Sequence, residues 1–102
     1  MNDKNVILDR VIAKYGAEHQ LTVATEELSE LIKELCKWKR YGNNREAIIE
    51  ELADVGLMLW QIKKIVGIEA WEIVTAQDKK IDRLLQRMEE DENEICVEKQ
   101  IQ

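Results

Sequence analysis

Residues 18–40 read EHQLTVATEELSELIKELCKWKR. Leu21, Ala24, Leu28, Leu31, Leu35 and Trp38 recur in steps of three and four, the spacing that lines apolar side chains along one face of an α-helix. No glycine or proline interrupts the stretch, and Tyr41-Gly42-Asn43-Asn44 ends it. The next stretch repeats the design: Ile48, Leu52, Val55, Leu59, Ile62 and Val66 form a second seam, and Gly67 closes it. Asn43 precedes Glu46 at capping-box spacing, so this third helix is expected to open there. Upstream, a first helix is expected from Asp3 as N-cap to Tyr15, with Gly16 just past its end and Val6, Ile7, Val11 and Ile12 as its stripe. Downstream, a fourth helix is expected from about Glu69 to Met88, burying Ala70, Ile73, Val74, Ile81, Leu84, Leu85 and Met88.

The fold class is therefore all-α, a four-helix bundle-type arrangement. One domain is expected over residues 1–88, followed by an acidic, mobile tail over 89–102 in which Ile95, Cys96 and Val97 dock locally. The third helix also carries Ile49, Ala53, Leu57 and Trp60 on the side away from its seam. A helix apolar on two sides is buried on two sides, and a second copy of the chain is the natural cover. A homodimer or homotetramer is expected.

The chain has 102 residues, 35% of them charged, and a formal net charge of −6. A chain this small buries a modest share of its extendable surface, which also favours assembly. Its acidity argues against nonspecific nucleic-acid binding, whose affinity comes from neutralising phosphates. There is no apolar run of about 18 residues to cross a membrane. The opening MNDKNVILDR places charges before any apolar stretch, unlike a secretory signal. Cys36 and Cys96 stand far apart and His19 is the sole histidine, so zinc spacing is absent and two reduced thiols are expected. A cytoplasmic location follows from that reading.

Chemistry concentrates in two acidic pairs. Glu27 and Glu30 on the second helix, and Glu51 and Asp54 on the third, are each three residues apart, so both members of a pair leave one helix face. Each pair lies roughly 90–110° around the axis from its own seam. If the two helices pack as an antiparallel hairpin, the pairs converge on one cleft. Converging carboxylates repel, and a divalent cation relieves the conflict. Oxygen donors select Mg²⁺, with Mn²⁺ as a substitute, and such an ion neutralises phosphate charge and activates water for phosphoanhydride hydrolysis. The alternative is two solvated acidic faces. A di-iron carboxylate bundle would need Glu-x-x-His elements, which one histidine cannot supply.

EELSEL (26–31) followed by EELADV (50–55) resembles the EExxE…ExxD signature of MazG-like nucleoside triphosphate pyrophosphohydrolases, in the all-α pyrophosphatase superfamily. The resemblance extends over about residues 17 to 88. It implies Mg²⁺ held by Glu27, Glu30, Glu51 and Asp54, and cleavage of a (d)NTP between its α and β phosphates, giving a monophosphate and pyrophosphate by attack of metal-bound water. It also implies dimers or dimers of dimers with the cleft partly built across the interface. Several relatives carry an aromatic one turn after the last acid, where this chain has Met58, so no base preference carries over.

Lys80, Arg83 and Arg87 share one face of the fourth helix, and the family often has basic residues in this region; Lys80 and Arg83 are the candidate triphosphate contacts. The alternative is a solvated basic stripe pairing with Asp82, Glu89 and Glu90. His19 and Trp38 are candidate contacts for base or ribose, against structural roles for both, and Tyr41 borders the same face. Trp60 and Trp71 are read as packing residues, while Lys33, Lys37, Glu26 and Glu50 are read as surface charges. Two rival functions stand beside the enzyme: a non-catalytic helical interaction module, and a phosphoribosyl-ATP pyrophosphohydrolase-like activity.

Overall fold

A computed structural model of the chain describes the backbone of residues 3–101 and the side chains of residues 3–95. It is all-helical: α1 (Lys4–Tyr15), α2 (Ala17–Tyr41), α3 (Arg45–Val66) and α4 (Ala70–Ile101), with no strand among the described residues. None of these helices is long and apolar enough to cross a membrane. Two compact units result, Met1–Gly67 and Ile68–Gln102.

The helix ends follow local chemistry. The Asp3 carboxylate accepts a hydrogen bond from the Asn5 amide at 2.8 Å, which satisfies one of the unpaired donors of the first turn of α1. Gly42 and Gly67 take the left-handed conformation at φ 63° and 82°, which glycine adopts without steric cost, and their amides bond back to the carbonyls of Trp38 and Lys63. The expected capping box at Asn43 does not form. Asn44 is the N-cap of α3, and its amide instead donates back to α2, to the Glu34 carbonyl at 2.9 Å and to Glu34 Oε2 at 2.7 Å. α4 continues thirteen residues beyond Met88, where the sequence reading ended it. Residues 89–101 hold no glycine or proline to stop a helix. Ile95 is exposed, and the side chains of Cys96 and Val97 lie outside the described residues.

In the first unit, α2 and α3 form an antiparallel hairpin, and α1 packs against both. The buried apolar residues are Leu8, Ala24, Val55 and Met58, with the amides of Gln20 and Gln61 buried between α2 and α3. Gln20 Nε2 donates to Gln61 Oε1 at 2.7 Å. Ala24 and Leu31 are covered on the α2 seam, and Ile48, Val55 and Ile62 on the α3 seam, while Trp38 is exposed. Leu21, Leu28 and Leu35 on α2, and Leu52, Leu59 and Val66 on α3, stay exposed along one edge of the hairpin. Part of the second apolar side of α3 is covered within the chain: the Trp60 indole donates to Asn5 of α1 at 3.3 Å, and Lys64 pairs with Asp9 at 2.8 Å. Ile49 and Leu57 remain exposed.

The first helix corrects its expected stripe. Leu8, absent from that stripe, is the buried residue of α1 at 6% exposure, whereas Val6 and Ile7 are exposed at 52% and 38%. Leu8, Val11 and Ile12 sit at i, i+3 and i+4 and form the face turned inward.

Candidate metal centre

The register of the hairpin places the acids. Gln20 faces Gln61, and seven residues further along α2 and seven residues back along α3 stand Glu27 and Asp54. Two turns of helix return each side chain to nearly the same angle, so the amide pair and the acid pair lie on one line about 10 Å apart. Two buried amides leave no donor free to shift by one residue without losing a partner, so the pair holds this register.

Glu27, Glu51 and Asp54 each bring a carboxylate oxygen to within 4.8 Å of the others. Glu27 and Glu51 are half-buried and Asp54 is exposed, giving a cluster with one open side. Oε2 of Glu51 is buried and has no hydrogen-bond partner. Glu30 is exposed and lies outside this trio, although its charge acts on both Glu27 and Glu51. Three of the four expected acids are thus brought together, and the fourth stands at the rim.

Electrostatics records the crowding. Burial pushes the Glu27 carboxyl above the ordinary glutamate value, and Asp54 and Glu51 push it further, Asp54 also through a hydrogen bond that favours the neutral form. Glu51 is raised first by burial and then by Asp54, Glu30, Glu34 and Glu50. Glu34 behaves oppositely: the Asn44 amide, aided by Lys37 at 3.5 Å, holds it below the ordinary value. Its side chain is only 12% exposed. Glu34 was not singled out in the sequence, although it follows Glu27 by seven residues and therefore shares its face. It extends the negative field along the same edge while remaining tied to the α2–α3 loop.

These shifts give a pH dependence whose sign is fixed. A carboxyl raised in the folded state disfavours folding wherever it is ionised. In chelator-treated buffer, stability should therefore increase as pH falls from neutral through the raised range of Glu27 and Glu51. Glu34 stabilises above the unfolded glutamate value of about 4.3, and its contribution is lost as pH drops through its lowered folded value. Thermal melts across pH in EDTA should rise and then fall; a melting temperature that only declines from pH 7 downward would contradict the cluster.

The remaining candidates lie elsewhere. His19 is exposed and its ring sits 5.9 Å from that of Tyr15; it precedes Glu27 by eight residues, about 12 Å along the axis. Trp38 lines a groove with Leu35, Arg45, Ile48, Ile49 and Leu52, on the apolar edge of the hairpin. Lys80 and Arg83 are exposed on α4, in the second unit. Met58 is buried in the first unit.

No known protein family, curated protein or solved structure matches the chain. The chemistry of the site accordingly rests on its own atoms. Three clustered carboxylates, with a buried and unpartnered oxygen on Glu51, offer the oxygen donors that a hard divalent cation takes.

Proposed function

We propose that the chain is a Mg²⁺-dependent pyrophosphohydrolase of nucleoside triphosphates, yielding a monophosphate and pyrophosphate. The reading rests on Glu51, whose Oε2 is buried without a partner and whose carboxylate brings an oxygen within 4.8 Å of oxygens from Glu27 and Asp54. A buried carboxylate oxygen without a donor is costly, and a cation removes that cost. The EExxE…ExxD resemblance supplies the reaction class. Glu27, Glu51 and Asp54 would hold Mg²⁺, or Mn²⁺ in its place, with Glu30 at the rim able to swing inward. When bound, the ion neutralises phosphate charge and lowers the pKa of a water for attack on phosphorus.

The chain's own residues contribute orientation and charge. Gln20 and Gln61 hold the register that sets Glu27 opposite Asp54, and Asn44 anchors the start of α3 to Glu34. Lys80 and Arg83 are proposed as triphosphate contacts, and His19 and Trp38 as contacts for the nucleoside. No covalent nucleophile is required. A second copy of the chain is proposed to cover the exposed rows on α2 and α3, in a homodimer or homotetramer.

The test is incubation with a panel of ribo- and deoxynucleoside triphosphates, and with phosphoribosyl-ATP, with Mg²⁺ and with EDTA. Monophosphate and pyrophosphate should appear only with the metal. Release of orthophosphate in place of pyrophosphate would refute the reaction class. An absence of both products, together with no thermal shift on adding Mg²⁺ or Mn²⁺, would favour a non-catalytic interaction module.

A further inference from the structure

α4 is 32 residues long, about 48 Å at the usual rise, and it is the only helix of its unit among the described residues. Val74, Ile81, Met88 and Ile95 are all exposed and fall exactly seven residues apart. A seven-residue row drifts by only about 20° per heptad, so over three heptads these four side chains stay within about 60° on one side of the helix, where a partner helix can cover them. Leu84 and Leu85, also exposed, widen the row at its middle.

Charge changes sign along the middle of α4. Residues 79–87 carry Lys79, Lys80, Arg83 and Arg87 against Asp82 alone. Residues 89–94 carry Glu89, Glu90, Asp91, Glu92 and Glu94 with no basic residue. Paired in parallel, two such helices would set acidic run on acidic run. Paired antiparallel, each basic stretch lies on the other's acidic stretch, and Leu84, Leu85 and Met88 meet near the centre of the pair.

We infer that α4 is a self-association surface that pairs antiparallel with α4 of a second copy of this chain. It is separate from the exposed rows of α2 and α3, and it depends neither on the metal nor on the nucleotide reading. The occupant is self-complementary in charge, as a two-fold interface requires.

Sedimentation equilibrium of the full chain, in low and high salt, tests this. The unmodified chain should associate, and more weakly as salt rises. Reversal within the acidic stretch by Glu89→Lys, Glu92→Lys and Glu94→Lys should weaken association about tenfold at low salt, because it sets like charge on like charge across the pair. Adding Lys79→Glu and Arg87→Glu should restore much of it, which a merely structural effect on the helix would not do. Circular dichroism verifies that the variants stay helical. Tighter association of the acid-reversed variant would show parallel pairing and overturn the inference. Unchanged association would assign assembly to another surface, and a monomeric unmodified chain would leave α4 covered within its own molecule; either result overturns it as well.

Discussion

Replacing Glu51 by Gln and Asp54 by Asn should reduce pyrophosphate release by on the order of 100-fold or more, since even residues that only orient metal ligands cost 10–100-fold when altered. The same double substitution should raise the melting temperature of the metal-free protein. Both carboxylates belong to a crowded group in which burial and like charge already push Glu27 and Glu51 upward, and removing charge relieves that conflict. The stabilisation by added Mg²⁺ should shrink together with activity, because a ligand that binds only the folded state stabilises it by mass action. Two signals in opposite directions separate a metal centre from a merely solvated acidic face. A solvated face predicts no change in either. Wild-type turnover in the double variant would remove Glu51 and Asp54 from the mechanism.

Leu8→Ala should cost about 2–5 kcal/mol, the usual range for emptying a buried leucine site. The same change at Ile7 should cost clearly less, because that side chain is already 38% exposed. A small helical unit has few buried apolar residues to share the loss: among the described residues Leu8 is one of four, with Ala24, Val55 and Met58. In a unit of this size a loss of that order lowers the melting temperature by roughly 10 °C or more. Urea or thermal unfolding of the two variants decides the matter. Equal losses at positions 7 and 8 would mean that α1 meets α2 and α3 through another face.

Leu8 also shows where a linear pattern stops being informative. Val6, Ile7, Leu8, Val11 and Ile12 are all apolar, and a stripe drawn through the first two or through the third satisfies helical spacing almost equally well. Which stripe turns inward depends on where α2 and α3 stand, and no residue within α1 encodes that. The hairpin behaves alike. Both seams were legible, yet Leu21, Leu28 and Leu35 remain exposed while Gln20 and Gln61 are buried. Periodicity gives the angle of a side chain on its own helix but not the rotation of that helix against its neighbour. A buried amide pair is also invisible to any reading that seeks apolar residues for the interior.

The helices and their stops at Gly16, Gly42 and Gly67 were determined by sequence alone, because hydrogen bonds between residues four apart and the backbone freedom of glycine are local properties. So was the presence of two acidic pairs at three-residue spacing, each confined to one face. The convergence of Glu27, Glu51 and Asp54, the rim position of Glu30 and the capture of Glu34 by Asn44 were decided by tertiary structure. They depend on the register between α2 and α3, held by a hydrogen bond between residues 41 positions apart, and packing across that distance leaves no mark on either helix read by itself.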